Sequence, residues 1–448
     1  MSTPSTLERW LVRSILALFL VVTLDEIHDG ATHGQDFNVH YEATQGMLSN
    51  PGKWFYLDTT SRPLLYWVGG FCYRYSEGLF SYQLASMVFA LLGAVALYLI
   101  YDASRRLISS PTLRVSALAL IALLPVTTVT TSVYAADTAA LLPFALAGWS
   151  VANCIESDSS TLALGYAALA CIALVAGNFA KATFFVLPAG IVFTLLCLLR
   201  TRQISLRRSV GIVALAVVVP CAVGAWLNAK AKAELANVPP RHSFDWRGTG
   251  ELTVRTLLLP KLSDRRVFDA PAYFTQTPGP QPVQLLNVHN SFSYPALLFL
   301  GTFTDVLGVS GKPLGNTRAE PQQHASRRST QWGIVLFVSA VASVVAFWLR
   351  TFVQLFRRAP FPSRAQLLWS ALAMAWFAPI ALMLPFVHFA YDWGYWLPRL
   401  VVPALWVFYV TLYAAADRLS LPLRTAAIAA LPLLTAVECA YMIRSVWY

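Results

Sequence analysis

The chain of 448 residues is 57% hydrophobic and only 12% charged, about half the charge of a water-soluble domain, which excludes a soluble globule. Apolar runs of about 18 residues or more recur along it, each long enough to cross about 30 Å of hydrocarbon as a helix. Its net charge of +11 does not point to nucleic acid, because the arginines cluster between apolar runs, where membrane orientation accounts for them.

Backbone polar groups in lipid must be satisfied within the spanning segment, so the expected fold is an all-α polytopic membrane bundle. The basic start (Arg9, Arg13) and the apolar stretch from Ile15 to Leu24 resemble a signal peptide, but no small-residue cleavage site follows, so 8–26 reads as an uncleaved first span. Further spans are expected at 79–101, 114–133, 137–155, 161–177, 181–199, 209–228, 332–352, 366–389, 396–416 and 424–443. This makes about 11 transmembrane helices, with the two termini on opposite sides. The basic loops, at Arg105, Arg106 and Arg114, at 200–208, at 350–364 and at Arg418 with Arg424, all fall on the side of the N-terminus, the cytoplasmic side under this count. The segment 293–308 is apolar too, but as a twelfth span it would move 350–364 outside, so an interfacial or re-entrant helix is expected there. The chain thus divides into an N-terminal transmembrane module (1–228), an extracytoplasmic region (229–331) and C-terminal transmembrane helices (332–448). All cysteines but Cys72 lie in apolar segments and none forms a CxxC, so neither a disulfide framework nor a thiolate metal site is expected.

Two stretches, 27–78 and 229–331, are too long to be mere connectors. Both lie outside in this topology, and every histidine falls in an outside loop or at the outside end of a span. In the first stretch, DFNVHYEATQGMLSN has helical spacing and stops at Asn50-Pro51-Gly52. Asp36 then sits at the helix N-terminus, where the dipole favours a carboxylate, and His40 is one turn on. Read from the residues alone, Asp36 is an N-cap or a general base at the membrane surface.

The stretch GQDFNVHYEATQGMLSNPGKWF resembles the first periplasmic loop of the GT-C glycosyltransferases, polytopic enzymes that take sugar from a polyprenyl-phosphate sugar. Asp36, Phe37, Tyr41, Ala43 and the Pro51-Gly52 turn before Trp54 and Phe55 match in order. SRPLLYW is similar to the Pro-Pro-Leu-Tyr pattern of that family, with Arg62 in place of the first proline. Three weaker likenesses follow on the same side. They are 123–142, which places Asp137 at the outside boundary; GNFAKATFFVLP, with Lys181 in the lysine position but Ala180 where Thr is common; and YDWGYWLPRLVVPAL, with Arg399 and Pro403 in place but Pro398 where Gly usually sits. The resemblance implies a GT-C-like bundle with two large extracytoplasmic loops. It also implies an inverting transfer with Asp36 as the catalytic base, and a plasma (inner) membrane location with the site facing outward. The implied partners are a polyprenyl-phosphate-linked sugar, membrane lipids and an extracytoplasmic acceptor that is a glycan, lipid or protein.

Inverting transfer needs a base for the acceptor hydroxyl and cations for the departing phosphate. Lys181, Arg399 and Arg62 are the candidates for the phosphate, with ordinary snorkelling from a helix end as the alternative. Asp137, His40 and Tyr41 are candidates for holding the acceptor, although Asp137 reads equally as a helix cap. No cofactor is required by the sequence. A divalent metal on Asp36, His40 and Asp137 stays open, without HxxxH or HExxH spacing to support it. Trp54, Phe55, Tyr66, Trp67 and Tyr73 read mostly as an interfacial belt. The competing function is a polytopic transporter or lipid-glycan flippase; against it, the charges lie at span ends rather than at the midplane.

Overall fold

The computed structural model describes residues 4–30, 37–56, 62–76, 78, 80–237, 298, 302, 320–361, 363–383 and 390–419. Helix α1 (Thr6–Gly30) opens with the Ser5 hydroxyl accepting the Glu8 N–H at 3.1 Å, which satisfies one orphan donor of the first turn. Helices α2 (Phe37–Ser49) and α3 (Pro63–Tyr75) have 13 residues each, about 20 Å at the usual helical rise, and are too short to cross the hydrocarbon. Helix α4 (Phe80–Ser104) is a full span. The third predicted span is two helices, α5 (Pro111–Leu123) and α6 (Pro125–Ser132), bent by 51°. Pro125 has no N–H to continue α5, and it holds Leu124 in extended backbone.

Helices α7 (Ala136–Glu156) and α8 (Ser160–Ala180) form an antiparallel hairpin, and Ser159 caps α8 by accepting from Leu162 N at 3.4 Å. A 3₁₀ turn at Ala182–Val186 leads into α9 (Leu187–Arg200). Helix α10 (Leu206–Val213) runs through a π turn at Ala214–Val218 into α11 (Val219–Glu234). The π turn lies where Pro220 withholds the N–H that would reach back into it. The last described helices are α12 (Glu320–Arg357), α13 (Arg364–Met383) and α14 (Ala390–Ala416). Among the described residues, six helices are long and apolar enough to cross a membrane, or seven if the bent pair α5–α6 is one span. A helix stands at each predicted span from 8–26 to 396–416, while 424–443 lies outside the described residues.

Polar contacts sort the helix ends. At one end, Arg114 of α5 pairs with Glu8 of α1 at 2.8 Å, and Tyr101 of α4 donates to the same carboxylate at 2.7 Å. Arg106 reaches Glu156 at the end of α7 at 3.0 Å. Asp417, just past α14, accepts from the Ser109 N–H at 2.7 Å, and Arg200 of α9 donates to the Leu355 carbonyl of α12 at 3.2 Å. Residues 200–208 and 350–364 are therefore at the same end, as the loop-charge reading required. The predicted basic loops are thus more than orientation signals, because two of their arginines, Arg106 and Arg114, pair with carboxylates of other helices. At the opposite end, Glu234 of α11 accepts the backbone N–H groups of Trp54 and Phe55 at 2.7 and 2.9 Å.

The core is apolar and tightly approached. Trp376 and Trp406 are fully buried, and Trp406 Nε1 donates to Thr127 Oγ1 at 3.0 Å, tying α14 to α6. A Cβ on Gly190 would lie 2.9 Å from the Ala371 carbonyl oxygen, so α9 and α13 meet backbone to backbone. Of the segment 293–308 only Leu298 and Thr302 are described; both are buried, and the Thr302 hydroxyl donates to the Leu298 carbonyl at 2.7 Å.

Candidate active site

Helix α2 forms where the sequence predicts it, and it stops at Asn50, whose N–H closes on the Gly46 carbonyl at 2.9 Å. Asp36 lies outside the described residues, and the helix begins at the next residue, Phe37. The inner face of α2 is held by hydroxyls. His40 Nδ1 and Tyr66 Oη share a hydrogen bond at 3.2 Å. The Thr44 and Tyr134 hydroxyls stand 3.0 Å apart, with the His40 carbonyl 2.8 Å from the first and the Leu65 carbonyl 2.9 Å from the second. Gln45 donates to Tyr82 Oη at 3.0 Å, and the half-exposed Tyr41 ring packs on Tyr82. Burial pushes the Tyr134 hydroxyl well above the usual phenol range, so it stays protonated and serves as a hydrogen-bonding strut. A Cβ on Gly69 of α3 would stand 2.0 Å from that hydroxyl; only glycine admits Tyr134 there.

Because α7 and α8 are antiparallel, the start of one meets the end of the other at the same end as α2. Asp137 is in the first turn of α7 and Lys181 is the C-cap residue of α8. The two form an ion pair whose side chains are only 7% and 14% exposed. Each charge also has a favourable helix end, carboxylate at the N-terminus and ammonium at the C-terminus. Lys181 Nζ stands 5.7 Å over the Trp376 ring of α13, a cation–π arrangement worth about 0.5–2 kcal/mol. Trp376 Nε1 in turn donates to the Leu400 carbonyl of α14 at 2.8 Å. Arg399 is the residue before Leu400, so the α14 backbone brings it to this neighbourhood.

Arg62, expected beside a donor phosphate, is 2% exposed. It donates to Asn228 Oδ1 of α11 and stacks 5.5 Å over Phe55. With the Glu234 contacts to Trp54 and Phe55, it fastens the segment after α2 onto α11. Lys230 reinforces this clasp, pairing with Glu234 at 2.7 Å and standing 4.6 Å over the Trp54 ring. The aromatic belt is partly corrected: Phe55 and Tyr66 are core residues, whereas Trp67 and Tyr73 are exposed. Trp54, Trp67, Phe179 and Trp226 pack together with ring centroids 5.3–6.2 Å apart.

Of the proposed metal set, Asp137 is bound to an ammonium and His40 Nδ1 to a hydroxyl, while Asp36 lies outside the described residues. Among the described residues no group of three or more His, Cys, Asp and Glu could hold a metal ion. Sequence reasoning passed over Tyr134, Thr44, Asn228 and Trp376. The one available signal was Tyr134, a single tyrosine between two apolar helices three residues before Asp137.

No protein-family model and no curated protein matches the chain. Among solved structures, the S. cerevisiae protein O-mannosyltransferase Pmt1-Pmt2 complex bound to the sugar donor aligns with a TM-score of 0.54 and 11% identity, covering 99% of this chain and 90% of that chain. ArnT from Cupriavidus metallidurans aligns in its apo state with a TM-score of 0.43 and 16% identity, over 92% of this chain and 78% of that one. Bound to undecaprenyl phosphate, the same protein aligns at 0.43 and 15%, over 91% and 77%. At such identities the likeness is one of fold, and the first of the three carries it. In fold, the chain resembles that protein O-mannosyltransferase, as an all-helical bundle whose described residues include six or seven helices long and apolar enough to cross a membrane.

Proposed function

We propose that the chain is a membrane glycosyltransferase moving a sugar from a polyprenyl-phosphate sugar to an extracytoplasmic acceptor, which is a lipid, glycan or protein. The fold shared with a protein O-mannosyltransferase solved with its sugar donor carries this reading. The mostly covered Lys181, at the same end as α2, supports it. The location is the plasma (inner) membrane, with the site facing outward.

The acceptor oxygen attacks the anomeric carbon as its proton passes to the Asp36 carboxylate, a step worth about 10²–10⁴-fold for a positioned base. The bond from that carbon to the phosphate oxygen breaks with inversion, and its electron pair leaves with polyprenyl phosphate. Lys181 and Arg399 offset the charge growing on that phosphate. His40, Tyr41 and Asp137 border the acceptor side. Arg62 holds the segment after α2 in place.

Protein purified into nanodiscs and given a polyprenyl-phosphate sugar should release polyprenyl phosphate when acceptor is added. Asp36→Asn should abolish release while the protein stays folded. Normal turnover by that variant discards Asp36 as the base, and no release from any such donor discards the function.

A further inference from the structure

We propose that Asp137 makes this site release its phosphate product by placing a fixed negative charge against the lysine that receives the phosphate. The inference rests on the polyprenyl-phosphate reading above and deepens it.

The starting observation is that the lysine is already paired. An ammonium 14% exposed is costly without a counter-ion, and Asp137 supplies one. The pair is held by the fold rather than by flexible side chains alone. Asp137 sits in the first turn of α7, where Ala135 offers no side-chain cap and the helix N-terminus favours a carboxylate. Lys181 is pinned at the C-cap of α8, its N–H bonded to the Gly177 carbonyl, and Trp376 lies under its ammonium.

An ammonium has three N–H donors, so one spent on Asp137 leaves two for a phosphate. Any phosphate that takes them also comes close to the Asp137 carboxylate. The repulsion grows with the charge on the phosphate. The sugar donor is a phosphodiester with one negative charge, whereas the product is a monoester with about −1.5 to −2 near neutral pH. Asp137 therefore opposes the product more than the donor. Without it, the same cations would hold the product tighter than the substrate and the site would stall after one turnover.

The test is equilibrium binding to the full-length chain in nanodiscs of a polyprenyl monophosphate and of its methyl phosphodiester. Asp137→Asn should raise affinity for the monoester about tenfold more than for the diester, a change of about 1.4 kcal/mol in the ratio, with product inhibition of turnover deepening in step. Asp137→Glu, which keeps the charge, should keep the wild-type ratio. Because the readout is a ratio, loss of part of the protein to misfolding does not move it. Asp137→Ser is run in parallel and read in the same way should the asparagine variant not fold. An unchanged ratio in the neutral variants overturns the role of Asp137. Wild-type protein that binds neither ester overturns the polyprenyl-phosphate reading instead.

Discussion

Gly69→Ala tests how α2 is held against the bundle. An ideal Cβ at Gly69 lies 2.0 Å from Tyr134 Oη and 2.8 Å from Cζ, well inside van der Waals contact. The tyrosine has nowhere to retreat. It is 2% exposed, the Tyr82 ring stands edge-on at 5.0 Å and His40 at 6.3 Å. The hydroxyl must leave the Leu65 carbonyl and Thr44, or α3 must move away from Tyr134. Each lost hydrogen bond costs about 1 kcal/mol net, and a stranded buried group about 1–3 kcal/mol more, so the variant should lose about 2–4 kcal/mol. If α3 moves instead, it carries Tyr66 away from His40 and loosens the helix that Asp36 precedes; misplacement by about 1 Å can cost about 10²-fold in rate. Unfolding in detergent and turnover in nanodiscs measure both effects. Gly165→Ala is the control, since a Cβ there meets nothing within 4 Å, and it should be neutral or slightly stabilising. If Gly69→Ala behaves like that control, the close approach of α3 and Tyr134 is wrong.

The buried pair gives a second test. Lys181→Met leaves Asp137 without its ammonium and should cost about 3–5 kcal/mol, while Lys181→Met combined with Asp137→Asn should recover much of it. Simple additivity of the two single changes would mean the side chains do not interact. Chelation with EDTA should leave the transfer rate unchanged, and a loss restored by a divalent ion would bring Asp36, His40 and Asp137 back as ligands. Reporter fusions at residues 107 and 355 should give the same side and one at 260 the opposite side; disagreement between 107 and 355 would overturn the shared end of α9 and α12.

The spans were readable because insertion is a local property. About 20 apolar residues in a row commit a segment to the membrane whatever its neighbours do, and the helices at 80–104, 136–156 and 160–180 stand within a few residues of their predicted places. Helix α2 was readable for a similar reason, as its apolar spacing and its Asn-Pro-Gly stop lie within one segment. The bend at Pro125 also had its signal in the sequence, but the surrounding run of hydrophobic residues reads as one span.

Arg62 shows where such reasoning runs out. An arginine before a proline in an outside loop reads as a partner for a phosphate, and its packing on Phe55 and its bond to Asn228 become visible only in the fold. Phe55 and Tyr66 likewise resemble the exposed Trp67 and Tyr73 in sequence, yet they are buried.

What the sequence by itself determined is a lipid-embedded helical bundle, and a short helix after its first span with a carboxylate just ahead of it. Asp137 and Lys181 were each visible as a charge at a span boundary, 44 positions apart. That they neutralise one another, over the face of Trp376, was decided only when α7 and α8 packed antiparallel and α13 closed over them. Hydrophobic partitioning acts over whole segments and tolerates error, whereas an ion pair depends on ångström-scale distances set by helices far apart in the chain.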